Sequence, residues 1–148
     1  MDYLSHKQQG KIMGKILSLN IWKNLPTEYQ ECKTFWAWLE TYPPTKGFAY
    51  HINNEGKRSH GLAHLLYLIG LRKGVSDYCL AVPRGTYGAL YIEMKRRDKT
   101  KSKITTEQSE WIKKMLAIGN QAHVAYGADE AIEFVLQYMK GSKNGIGE

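Results

Sequence analysis

Cysteine is scarce in this 148-residue chain, which carries only Cys32 and Cys79. Two thiols cannot supply a disulfide framework or a cysteine-only zinc site, and Cys79 sits in the apolar run "DYCLAV", where a buried thiol behaves as a small hydrophobe. A reducing compartment is expected. Long apolar runs are missing as well: no stretch approaches the roughly 20 residues of a spanning helix. Near the start, Gly10, Lys11, Gly14 and Lys15 break up anything like a leader's hydrophobic region. The expectation is a soluble, cytoplasmic protein with no membrane partner. Proline occurs only four times, at Pro26, Pro43, Pro44 and Pro83, and each marks the end of an element or a turn. Internal repeats, a phosphate-cradling glycine loop and a Ser-His-Asp arrangement are all absent.

Positive charge is what the chain has in excess. Lys and Arg number 21 against 14 Asp and Glu, a formal charge of +7, which favours an anionic partner. A nucleic acid fits better than an acidic membrane, because no long amphipathic basic helix is present. With 43% hydrophobic and 11% aromatic residues, the basic balance belongs to a folded chain and not to a disordered tail. The length suits one domain. Residues 1–26 have no clear period and form an N-terminal arm of open role, 27–140 make up the domain, and 141–148 read as a flexible tail.

Thr27 with Gln30 has the form of a capping box, and Cys32, Phe35, Trp36 and Leu39 follow at helical spacing as a core stripe, until Tyr42-Pro43-Pro44 stops the helix. "FAYHINN" (48–54) predicts a short strand, and "HGLAHLLYLIGLRKG" a helix from His60 to Gly74. "SDYCLAV" and "ALYIEMK" predict a hairpin whose turn, 83–88, contains Pro83, Gly85 and Gly88. Thr105 with Gln108 is a second capping box, heading a helix that ends before Gly119. "QAHVAYG" predicts a strand, and "DEAIEFVLQYMKG" a last helix. The sum is an α/β domain with a mixed sheet of about four strands flanked by helices.

The stretch "YIEMK" carries the chemistry. Alternation along a strand sends Leu90, Ile92 and Met94 to one face and Tyr91, Glu93 and Lys95 to the other. An acid and an amine are thereby fixed about 6 to 7 Å apart along the backbone. Such a pair suits metal-assisted phosphodiester hydrolysis, with the carboxylate on a hard cation and the ammonium on a phosphate oxygen or the attacking hydroxide. The hairpin brings Asp77 near the Glu93 end of its partner strand. Two carboxylates so close repel each other unless a cation lies between them. At ~100° per residue, Glu28 falls near the centre of the first helix's stripe and Glu31 well to its side, so Glu28 is the inward acid, with Glu31 the alternative. The same count turns Gln108 towards the Trp111, Ile112 and Met115 face, where a polar amide needs a partner; the acids or a phosphate could supply one.

These residues resemble the PD-(D/E)XK nuclease superfamily, and the longer text is similar to its VRR-NUC branch, of the small standalone phage type. The likeness runs from Thr27 to Met139 through "TEYQECKTFWAW", "HINNEGKR", "GVSDYCLAVPRGTYGALYIEMK", "TTEQSEWIKKML" and "YGADEAIEFVLQYM" in order. It implies a restriction-endonuclease-like core and a Mg²⁺- or Mn²⁺-dependent DNA endonuclease that prefers branched, flapped or four-way DNA and forms a homodimer. Asp77 and Glu93 would bind the ion together with the Met94 carbonyl, Lys95 would be the catalytic lysine, Glu28 the helix acid, and Gln108 the glutamine of a QxxW element. Ser76 departs from the pattern, standing where proline usually precedes the aspartate.

Residues 95–103, "KRRDKTKSK", hold six cations and one acid. A run of this kind is usually a solvated loop. Placed beside a metal site, Arg96, Arg97, Lys99, Lys101 and Lys103 would contact phosphates, with Lys57 and Arg58 as further candidates. His60 and His64 have the i, i+4 spacing of a zinc grip, but no third ligand is evident. His51 suits either core packing or substrate contact. The alternative for the whole protein is a non-catalytic basic module that holds nucleic acid for a partner enzyme; two clustered acids argue against it.

Overall fold

A computed structural model describes residues 25–54 and 59–141. The arm 1–26 lies outside them except for Leu25 and Pro26, as do Lys57, Arg58 and all of the 141–148 tail beyond Gly141.

Helix α1 (Glu28–Thr41) begins at Thr27, whose hydroxyl accepts from the Gln30 N–H while the Gln30 side chain accepts from the Thr27 N–H. This reciprocal cap satisfies two orphan donors at once. Strand β1 (Ala49–His51) follows, shorter than 48–54. Helix α2 (His60–Leu68) stops six residues before Gly74, because Ile69 leaves helical geometry and Gly70 takes φ of +104°. Next come β2 (Tyr78–Leu80) and β3 (Leu90–Lys95), a 3₁₀ turn (Lys99–Lys101), α3 (Thr106–Ala117), β4 (Gln121–Tyr126) and α4 (Ala128–Lys140).

The four strands form one sheet in the order β1-β2-β3-β4. The first two pairings are antiparallel, with Tyr78 opposite Ile92 and Leu80 opposite Leu90, and β3 runs parallel to β4. The chain is an α/β domain with a mixed sheet, as its pattern predicts. One sheet face carries Tyr78, Leu80, Leu90, Ile92 and Met94, which are buried with Phe35 and Leu39 of α1 and Ala128, Ala131, Val135 and Tyr138 of α4. Burial of the larger of these, such as Leu39, Ile92, Met94 and Val135, contributes about 1.5 to 3 kcal/mol each. The other face, bearing Tyr91, Glu93 and Lys95, turns towards α3, and Tyr91 meets Trp111 edge to face at 6.3 Å.

The core stripe of α1 differs from the predicted one. Glu31, Phe35 and Leu39 are its buried residues, with Cys32, Trp38 and Tyr42 packed partly against the core, whereas Trp36 is 36% exposed. Helical spacing admits either stripe. The choice was made by α4, which packs on the Phe35 side.

Helix α2 has no buried residue. Leu65, Tyr67, Leu68 and Ile69 are all more than half exposed, so its period marks an apolar surface instead of a core face. His60 and His64 stand exposed on it. Among the described residues, no helix is long and apolar enough to cross a membrane.

Candidate active site

Strand β3 places Glu93 and Lys95 on one face, where both are buried, and Lys95 Nζ lies 2.9 Å from Glu93 Oε1. Two positions apart on a strand is within reach for side chains this long. Burial alone lowers the pKa of the Lys95 ammonium, but the hydrogen bond to Glu93 and the charges of Glu93, Glu28 and Asp77 outweigh it, and the net shift is upward. Lys95 is therefore a cation held among three acids, from β3, from α1 and from the loop before β2.

Asp77 directly precedes β2 and is 8% exposed. Its Oδ2 accepts the Met94 N–H at 2.7 Å, which ties the start of β2 to the Glu93–Met94 peptide. Ser76 beside it is completely buried, and its hydroxyl has no hydrogen-bond partner among the described residues.

Gln108 reaches the site from the first turn of α3. Its Oε1 accepts the Thr105 N–H at 2.9 Å, and the Thr105 hydroxyl accepts the Gln108 N–H at 3.2 Å. With the amide oxygen fixed by the cap, the Nε2 group is left to donate to Glu93 Oε1. One side chain thus starts a helix and orients a buried carboxylate. Gly74 lets this turn come close: its φ is +79°, and a Cβ there would collide with the Glu107 backbone.

Glu28 is half-buried and lines the same cleft as Asp77. The expectation that Glu28 and not Glu31 turns inward needs correction. Glu31 is 2% exposed. It accepts from Arg97 Nε at 2.9 Å and from the Ala128 N–H at 2.9 Å, and so caps α4 from another helix. Gly127, at φ of +101°, has no side chain to block that approach; a Cβ would lie 3.1 Å from Arg97. Glu28 instead sits half-buried in the opening turn of α1, on the wall of the cleft. No local signal marks Glu31, because its partners are 66 and 97 residues away.

The basic run is ordered around Asp98, which accepts from the Thr100 N–H at 3.1 Å and pairs with Lys101 at 3.6 Å. Lys99 lies over the Tyr126 ring at 4.5 Å. Lys103 is exposed, and Arg96 is half-buried. Arg97 is not simply solvated, since it joins Glu31 to Asp129. Tyr29, Lys33 and Trp36 line the cleft beside Glu28 and Asp77; the seven-residue interval from Tyr29 to Trp36, which sets the two on one helix face, is the local signal for this surface.

Among the described residues, no group of three or more His, Cys, Asp and Glu side chains is placed to hold a metal ion. What the site offers is hard oxygen: the Asp77, Glu93 and Glu28 carboxylates around one buried ammonium.

No protein-family model matches the chain, and neither does any curated protein. Among solved structures, the chain is similar to one described as "VRR_NUC domain protein", with a TM-score of 0.71 and 26% sequence identity over 84% of this chain and 98% of that one. That likeness supports a VRR-NUC-like fold for the chain.

Proposed function

We propose that the protein is a divalent-metal-dependent DNA endonuclease of PD-(D/E)XK type, hydrolysing phosphodiester bonds in branched or flapped DNA and four-way junctions. The reading is carried by the convergence of Asp77, Glu93, Lys95 and Gln108 at one end of β2 and β3. The likeness to a VRR_NUC domain protein supports it independently.

The donor set fits Mg²⁺ or Mn²⁺. All the acids are hard oxygen donors, the type that Mg²⁺ and Mn²⁺ take in small number while keeping several waters. Asp77 and Glu93 would hold it with the Met94 carbonyl, and Glu28 would act from the cleft side. When bound, the ion supplies charge for the phosphoryl oxygens and an acidified water. Gln108 keeps Glu93 in one orientation. Lys95, a cation with a raised pKa, steadies a phosphate oxygen or the attacking hydroxide. Arg96, Lys99, Lys101 and Lys103 follow the catalytic strand directly and serve as phosphate contacts; Lys57 and Arg58 are assigned the same role. Arg97 acts mainly by holding the loop to Glu31. The protein works as a homodimer, a reading to which the exposed apolar residues of α2 lend a surface.

The deciding experiment incubates the full chain with labelled duplex, flapped and four-way DNA in Mg²⁺, Mn²⁺ or EDTA. Cleavage with either metal, none in EDTA and none by Asp77→Asn is expected. Cutting that persists in EDTA defeats the metal reading. Salt-sensitive binding without any cleavage would assign the protein to non-catalytic nucleic-acid binding instead.

A further inference from the structure

Between α1 and edge strand β1 runs a cleft of about 510 Å³, with Glu28 and Asp77 among its lining residues. Its helix side is formed by Tyr29 and Trp36, seven residues apart and thus within ~20° of each other around the axis. Tyr29 is 76% exposed and Trp36 36%. The opposite side carries His51 from β1, packed edge-on against Tyr78 with ring centroids 5.0 Å apart. Lys33 and Asn53 add a cation and an amide.

The core does not require these aromatic rings in the cleft, because α1 already buries Phe35 and Leu39 on another face. Exposed aromatics on facing walls, with polar groups beside them, suit a flat heteroaromatic guest. The acids make the cleft hostile to a bare anion. The chain's charge of +7 nevertheless favours a polyanion. One ligand reconciles the two, a nucleotide whose base enters the cleft while its phosphates stay outside.

We infer that this cleft is a nucleobase subsite that receives an unpaired base next to the phosphate at Asp77, stacked on Trp36 with Tyr29 beside it. This rests on the nuclease reading for its placement along the strand. A base within a duplex must leave its stack to enter, and that is least costly where pairing is already broken. The subsite would therefore select for unpaired nucleotides at branches and flaps.

The test measures binding of the full chain to a single-stranded oligonucleotide carrying 2-aminopurine, with Ca²⁺ in place of Mg²⁺ so that no turnover is needed. Trp36→Ala should weaken binding on the order of 5- to 150-fold, Tyr29→Ala by less, and Trp36→Phe should restore most of the loss. An oligonucleotide of abasic residues should cost wild type a similar factor and Trp36→Ala nothing more. Tyr29→Ala, at a largely exposed position, stays informative should Trp36→Ala fold poorly. Equal affinity of wild type and both alanine variants, or wild-type indifference to abasic DNA, overturns the subsite. Base-dependent binding by a protein that cleaves nothing would instead leave the subsite standing and remove the nuclease reading.

Discussion

Gln108 donates to the Glu93 carboxylate with the same amide whose oxygen caps α3 at the Thr105 N–H, 2.9 Å away. Cap and carboxylate are thus coupled through one side chain. Gln108→Ala should lower the catalytic rate proposed here by on the order of 10², and cost about 1 to 3 kcal/mol of stability, because a buried carboxylate loses a donor and the helix loses half of its capping box. Single-turnover cleavage and urea unfolding measure the two effects. Gln108→Glu, which faces Glu93 with a second acid, should be slower still.

Lys95→Ala separates binding from chemistry. Removing a preorganised charge of this kind typically costs 10² to 10³ in rate, while the phosphate contacts proposed for the adjoining basic run are untouched. The variant should hold DNA nearly as wild type does and cut it very slowly. Cleavage at the wild-type rate in a single-turnover assay would withdraw Lys95 from the mechanism.

Glu31→Ala probes structure and not chemistry. It removes the partner of Arg97 and the acceptor of the buried Ala128 N–H. The cost should be about 2 to 3 kcal/mol, near the lower end for a broken buried pair because the Arg97 side chain is 40% exposed. For a chain of this size, that lowers Tm by roughly 4 to 12 °C. An unchanged melting curve would contradict the contact.

His123 sets an acid limit on stability. Its ring stacks on Phe134 at 4.3 Å, and burial moves its pKa below the ordinary 6.5. As pH falls through that ordinary value, the unfolded chain takes up a proton that the folded ring resists, so unfolding gains and stability drops. Above about pH 6.5, neither state is charged and the effect vanishes. His123→Phe should flatten the fall in urea midpoint between pH 7 and pH 5.

Much of this protein is decided locally. Both capping boxes follow from Thr27-x-x-Gln30 and Thr105-x-x-Gln108, because a cap is built from neighbours in the chain. The alternation of Leu90, Ile92 and Met94 with Glu93 and Lys95 follows from the pleat, and the nearness of Asp77 to Glu93 from the antiparallel pairing that sets Tyr78 opposite Ile92. Gln108's need for a partner was legible in the sequence too, since an amide on an apolar face must find one.

Tertiary structure alone chose between answers that helical spacing left open. Trp36 and Phe35 suit a core stripe equally well, and only the packing of α4 beside α1 buried one and left the other in the cleft. Glu31 became the buried acid because Arg97 and the start of α4, distant in sequence, converge on it. The periodic apolar residues of α2 stayed on the surface because no described element packs over them. A sequence records which side chains share a face; what lies across from that face depends on contacts between distant segments, which a local pattern does not encode.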